Sequence, residues 1–246
     1  MGRRSVVIKV KGLIFSWLLR LLRRTWRVHI EGIERLDRMH ADNKRILFCF
    51  WHGKYVPIFP IMDGYQACVI TNQSNRGNVI DQICRNFGYQ SVQIPVQPRH
   101  KSLPIIENRS SKTRVDGSLR LIKKALSGAD AGAFAVDGPL GPRHRVKSGV
   151  IRIASGLGFD LLPISVDCRR KIMFHKRWDL MEIPLPFTKV CLVIGEPIKV
   201  HPDLRSGQLK TLADELAEAI LLIDKQAENM VLNNDNETEI AENYDR

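Results

Sequence analysis

Long apolar runs are the first thing this chain is short of. The longest near the N-terminus, Leu13 to Leu19, stops at Arg20, well below the ~20 residues of a membrane-spanning helix. No small-residue cleavage site follows it, so neither a membrane span nor a secretion signal is expected. Cysteine is scarce and odd in number. The five (Cys49, Cys68, Cys84, Cys168 and Cys191) are widely spaced and three sit in apolar runs, which speaks against a disulfide framework or a zinc site and for reduced core residues. There is no Gly-x-Ser-x-Gly elbow, which leaves Ser74 and Cys49 as weak nucleophile candidates for a hydrolase. Helix-turn-helix, zinc-finger and aromatic RNA-binding signatures are missing too. So are internal repeats and low-complexity linkers.

What the chain does have is positive charge. Its 246 residues carry 38 Lys and Arg against 26 Asp and Glu, a net +12, while 44% hydrophobic content is ordinary for a folded domain. Such an excess points to a polyanionic partner: nucleic acid, an anionic membrane or a phosphorylated substrate. Eight of the cations (Arg3, Arg4, Lys9, Lys11, Arg20, Arg23, Arg24, Arg27) precede Glu31, the first acid. The other end is the reverse. Residues 228–246 hold six acids and one Arg in a polar stretch, which predicts a disordered acidic tail.

Residues 1–27 have a helical order, with Leu13, Ile14, Trp17, Leu18, Leu21 and Leu22 on one stripe and Ser16, Arg20, Arg23, Arg24 and Arg27 opposite. Tryptophans beside a basic face are the pattern of a helix lying in the headgroup layer of an anionic membrane, its arginines on lipid phosphates. A helix packed on its own domain is the plainer alternative.

From residue 28 to 227 strands and helices alternate, implying one α/β domain. Strands are predicted over Arg45–Trp51, Ala67–Thr71, Tyr89–Pro95, Ala131–Asp137, Leu161–Val166 and Lys189–Ile194. Helical faces are formed by Val79, Ile80, Ile83, Cys84 and Phe87, by Val115, Leu119, Ile122 and Leu126, and by Leu209, Leu212, Leu216, Ile220, Ile223 and Ala227. Ser148 reads as the N-cap of a helix through Ser155.

Sites in such sheets gather beyond the carboxyl ends of strands. Two such places carry chemistry. In Phe50-Trp51-His52-Gly53-Lys54 an imidazole follows an apolar strand, and Gly53 lets a substrate approach the backbone. Imidazoles titrate near neutrality, which suits removal of a proton from an attacking hydroxyl. The second place, Val136-Asp137-Gly138-Pro139-Leu140-Gly141-Pro142-Arg143, runs on through His144, Arg145 and Lys147 toward a helix start, a setting that favours an anion. Arg76 and Arg99 are further anion candidates, and Arg109, Lys112 and Arg114 read as part of a mobile loop.

Taken together, Phe50-Trp51-His52-Gly53, Thr71-Asn72-Gln73-Ser74-Asn75-Arg76-Gly77, the Ser118–Leu126 helix, Val136-Asp137-Gly138-Pro139-Leu140-Gly141-Pro142-Arg143 with Val146-Lys147-Ser148-Gly149-Val150, and Leu162-Pro163-Ile164-Ser165-Val166 resemble the DUF374 branch of the lysophospholipid acyltransferase superfamily. The resemblance covers about residues 28–200. It implies a single α/β domain with a mixed, largely parallel sheet flanked by helices, glycerolipid acyltransferase-like, preceded by the amphipathic membrane helix. It further implies an O-acyltransferase that moves a fatty acyl chain from an acyl carrier protein or coenzyme A thioester to a hydroxyl of a lysophospholipid or lipid A precursor. Such a protein would be cytoplasmic and peripherally attached to an inner membrane, with no metal or resident cofactor. His52 is then the general base, Asp137 the first candidate to orient its ring, and Gly53, Arg76, Gly138 and Arg143 bind substrate. The superfamily's His-x4-Asp is broken here, because the fifth position after His52 is Pro57. Where relatives carry Glu-Gly-Thr, this chain has Asp137-Gly138-Pro139. The competing class is a basic nucleic-acid-binding protein or a membrane scaffold without catalysis; no nucleic-acid partner is expected, since the N-terminal cations accompany an apolar stripe rather than stacking aromatics.

Overall fold

The computed structural model describes residues 3–95 and 109–244; Arg99 lies outside them. A seven-stranded sheet in the order β1-β9-β6-β2-β5-β3-β4 forms the centre. Its strands are β1 (Arg27–Glu31), β2 (Arg45–Phe50), β3 (Cys68–Gln73), β4 (Gln90–Pro95), β5 (Ala131–Ala135), β6 (Phe159–Cys168) and β9 (Lys189–Ile194); β7 (Lys171–Met173) and β8 (Glu182–Pro184) pair apart as a small hairpin. From β6 to β4 every pairing is parallel, while β9 runs antiparallel to β6 and takes β1 parallel alongside it. The expected mixed, largely parallel sheet is what the chain builds.

Both faces are covered, as a parallel sheet requires. Alternation along β2 shows how one strand serves two cores: Ile46, Phe48 and Phe50 meet α2 (Ile33–Ala41), α3 (Tyr55–Ile61) and α4 (Asn75–Asn86), while Leu47 and Cys49, with Trp51 just beyond, meet α5 (Arg109–Leu126), α6 (Ser148–Leu157) and α7 (Ser206–Tyr244). All five cysteines are buried and free.

The first helix, α1 (Arg3–Arg24), docks by its small and polar side. A Cβ on Gly12 would lie 2.4 Å from Gln82 Cγ on α4. Ser16 Oγ donates to the Gly12 carbonyl at 2.7 Å and accepts from Asn86 Nδ2 at 3.0 Å. Arg20 donates to the Asn86 carbonyl at 2.6 Å, pairs with Asp63 and lies over the Phe87 ring. Arg20 is therefore turned into the protein, not toward lipid phosphate. Leu22 leaves the expected stripe and packs on the core. The remaining stripe, Leu13, Ile14, Trp17, Leu18 and Leu21, faces solvent, with Trp17 61% exposed. No described helix is long and apolar enough to cross a membrane.

Several expectations need correcting. The N-terminal helix ends at Arg24, and Arg27 already opens β1. Residues 109–114 begin α5 and are not a loop. Lys147, not Ser148, is the cap position of α6, and it makes no side-chain cap bond. The last helix does not stop at the acidic segment: Ala227 and Val231 are buried and α7 continues to Tyr244, where a disordered tail was expected.

Arg45, at the start of β2, closes the helical layer beneath it. Its guanidinium donates to the carbonyls of Leu126, Ala129 and Leu157 at the ends of α5 and α6, and stacks 4.0 Å from the Phe159 ring centre. Helix ends leave carbonyls without partners, and one planar cation serves several here. Arg45→Met should cost about 2–4 kcal/mol, read as a melting temperature lowered by roughly 5–15 °C in a thermal unfolding scan.

Candidate active site

The carboxyl ends of β2, β5 and β3 deliver His52, Asp137 and the Ser74–Gly77 turn to one edge of the sheet. The end of β6 opens into the β7–β8 hairpin, whose connection, residues 174–181, folds back over that edge. Three internal hydrogen bonds shape it, Phe174 N to Met181 O, Arg177 N to Phe174 O and Leu180 N to Arg177 O.

That connection brings in the carboxylate the broken local motif lacks. His52 Nδ1 lies 2.6 Å from Asp179 Oδ2, although the residues are 127 positions apart. Asp179 has no exposed side-chain surface, and Arg177 holds it with two bonds, Nε to Oδ1 at 2.8 Å and a terminal nitrogen to Oδ2 at 2.6 Å. Burial pushes the Asp179 carboxyl upward, but the bonds from Arg177 and His52 outweigh it and hold the group below its ordinary value. An ionised carboxylate only accepts, so Nδ1 donates, and a neutral ring keeps its lone pair on Nε2. The His52 side chain is 22% exposed. Its ring is walled by Trp178, with centroids 5.3 Å apart, and by Tyr55 at 5.4 Å. With Nδ1 committed to Asp179, Nε2 is the ring atom left to exchange a proton with a bound group.

Asp137 has a different place from the one expected. It is fully buried and does not touch the imidazole. Oδ1 accepts from the His52 backbone N–H at 2.8 Å and Oδ2 from the His144 backbone N–H at 3.2 Å. Asp137 thus ties the turn after β2 to the turn after β5, fixing the main chain of His52 and not its ring. The two glycines are also packing positions. A Cβ on Gly138 would lie 2.6 Å from His52 Cδ2, and one on Gly53 would lie 2.2 Å from the Asp179 carbonyl oxygen. Gly138 leaves room for the imidazole, and Gly53 lets the hairpin connection come close. Gly53 is buried, so the expected open approach for a substrate is not there.

Next to the pair lies a set of four charges, three of them buried and Lys171 half-buried. Lys54 Nζ meets Glu182 Oε2 at 2.9 Å and Asp167 Oδ2 at 3.7 Å, and Lys171 Nζ meets Asp167 Oδ1 at 2.6 Å and Glu182 Oε2 at 3.1 Å. Burial works against the Lys171 charge, yet its bonds to Asp167 and Glu182 hold its ammonium above the ordinary range. The cluster joins the turn after β2 to both strands of the hairpin. The His144 ring packs tilted against Trp51 with centroids 4.9 Å apart, and burial with the neighbouring Arg143 charge lowers the pKa of its imidazole.

Arg76 and Arg143 are exposed, and their guanidinium groups make no hydrogen bond or ion pair among the described residues. Arg76, in the first turn of α4, is near enough for its charge to act on the Tyr55 phenol, as do those of Arg177 and Asp179. The hydrolase candidates are otherwise engaged. Ser74 Oγ caps α4 by accepting from Gly77 N at 2.9 Å, and burial pushes the Cys49 thiol far up. No cluster of three or more metal-ligating side chains occurs among the described residues. The sequence reading missed Asp179, Arg177, Trp178 and Tyr55. The only available signal was a lone acid in the basic, aromatic stretch His175-Lys176-Arg177-Trp178-Asp179.

No protein-family model matches the chain. It is 24% identical over 219 residues to the uncharacterized protein RP090 of Rickettsia prowazekii (strain Madrid E), covering 85% of this chain and 93% of that protein. Among solved structures it superposes on the 1-acyl-sn-glycerophosphate acyltransferase PlsC of Thermotoga maritima with a TM-score of 0.51 and 18% identity, over 94% of this chain and 84% of the other. The likeness is one of fold.

Because Asp179 is held below the ordinary aspartate value of 3.8, its pairing stabilises the fold fully above that pH and loses this contribution as pH falls through the lower folded value. The stability gap between wild type and Asp179→Asn, followed by urea unfolding across pH, should stay level near neutrality and close below pH 3.8.

Proposed function

We propose that this protein is a membrane-associated O-acyltransferase, a member of the lysophospholipid acyltransferase superfamily, using His52 as general base. The observation that carries the reading is the Asp179-His52 pair, with Nε2 available, at the carboxyl edge of a sheet that superposes on an acyltransferase. Nε2 takes the proton of an acceptor hydroxyl as its oxygen attacks the carbonyl carbon of an acyl thioester. The tetrahedral intermediate collapses with breakage of the carbon–sulfur bond, and the imidazolium returns the proton to the leaving thiolate. Asp179 stabilises the imidazolium between the two steps.

Substrate recognition follows from the charges left unpaired. Arg76 and Arg143 suit the phosphates of a lipid acceptor or of the donor's phosphopantetheine arm. The donor is an acyl carrier protein or coenzyme A thioester, and the acceptor a lysophospholipid or a lipid A precursor of the DUF374 type. The solvent-facing apolar stripe of α1 supports peripheral attachment to the inner face of an anionic membrane, with Lys9, Lys11, Arg23 and Arg24 supplying positive charge for lipid phosphates.

Acyl transfer by the purified full chain, supplied with both thioester classes and a panel of acceptors, is the decisive assay. His52→Ala should lower the rate about 10²–10⁴-fold with the fold unchanged, and Asp179→Asn should lower it to a similar order. Transfer at the wild-type rate by His52→Ala overturns the mechanism. A folded protein that binds vesicles yet transfers nothing to any acceptor is a membrane scaffold, and salt-sensitive DNA retention without vesicle binding marks a nucleic-acid-binding protein. Removal of residues 1–24, which spares buried Trp26 and β1, should lower sedimentation with phosphatidylglycerol vesicles at least tenfold.

A further inference from the structure

The β7–β8 hairpin has an outer surface of unusual composition. On an antiparallel pair one face packs and the other normally turns polar groups to water. Here the inner face carries Lys171 and Glu182 into the buried charge cluster, and the outer face pairs Ile172 with Ile183. Ile172 is 49% exposed, and Phe174 and Trp178 in the connection are exposed as well. The turn into β9 adds Phe187, which is 73% exposed and sits at φ 55°. A phenylalanine there is doubly unfavourable in water: its backbone lies in the left-handed region and its ring is unburied.

The charges around these side chains have one sign. From Cys168 to Gly195 the only acids are Asp179 and Glu182, both buried and both paired inward. Arg170, His175 and Lys176 are exposed around the apolar residues. Apolar side chains set among cations, with no exposed acid, match an anionic lipid headgroup layer. The surface is also tied to α1, since the Phe187 backbone N–H donates to Thr25 Oγ1 at 3.3 Å, just past the end of that helix.

We propose that the β7–β8 hairpin and the turn into β9 form a second bilayer contact, separate from α1, with Phe187 inserted into the headgroup layer of an anionic membrane. It rests on the membrane attachment proposed above and adds a second point to it. Two points fix an orientation where one helix leaves rotation free. Because the hairpin also carries Asp179, this contact sets the His52 edge of the sheet against the bilayer, where a lipid hydroxyl is found.

The test places an environment-sensitive thiol label on the full chain at Phe187→Cys, with Glu218→Cys on the exposed side of α7 as control; the five native cysteines are buried. With phosphatidylglycerol vesicles the emission at 187 should shift to the blue and that at 218 should not, and with phosphatidylcholine vesicles the shift should be smaller. Phe187→Gly, which suits the left-handed backbone, should keep the fold and weaken vesicle retention about tenfold. A label at 187 that stays in water while the protein sediments with vesicles overturns the second contact and leaves attachment by α1 standing. A chain that does not sediment with anionic vesicles at all overturns both.

Discussion

Everything at the proposed active edge depends on the pairing of Lys54 with Glu182 and Asp167. A two-stranded hairpin has little stability of its own, and this one is joined to the domain through charges shared among Lys54, Lys171, Asp167 and Glu182. Lys54, Asp167 and Glu182 are buried and Lys171 is half-buried, and each faces an opposite charge, which is what permits the burial. Such clusters add little net stability compared with apolar packing, and their value is in admitting one arrangement. Here that arrangement links Lys54, two residues beyond His52, to the strands that flank Asp179. A shift of the hairpin would leave charges uncompensated in the interior, so the carboxylate reaches the imidazole in one register.

A second buried carboxylate does complementary work. Asp137 fixes the backbone of His52 and the turn at His144, and Asp179 fixes the imidazole. Main chain and side chain are thus positioned by separate anions from separate elements. Gly53 and Gly138 are the steric conditions of the arrangement, one admitting the Asp179 backbone and the other the imidazole ring.

Much of this fold was legible because buried strands and amphipathic helices leave periodic marks. The six strands read from apolar runs are present, displaced by a few residues, and His52 sits where strand-end reasoning put it. The parts that escaped are those whose partners lie far away in sequence. Strand β1 is a half-exposed edge, Arg-Val-His-Ile-Glu, whose pattern becomes a strand only against β9. The hairpin strands have three residues each and carry no period. Asp137 looked like the orienting carboxylate because it follows a neighbouring strand at the same edge, and nothing local marks Asp179 as the nearer group. Five of the six stripe residues expected in the N-terminal helix face solvent and Leu22 does not, and which side turns to the protein is decided by Gly12 and Ser16, small residues that allow close approach to α4.

The separation of His52 from Asp179 bears on biosynthesis. A hydrogen-bonded pair drawn from one helix turn exists as soon as that turn forms, whereas this pair spans 127 positions and lies across the end of a sheet. A nascent chain exposes its imidazole while its carboxylate has yet to be translated, and the buried cations wait equally for Glu182. The imidazole therefore acquires its partner late in synthesis, once most of the sheet's strands have been made. A paired imidazole is in this sense a report that six of the seven strands of the central sheet have been made.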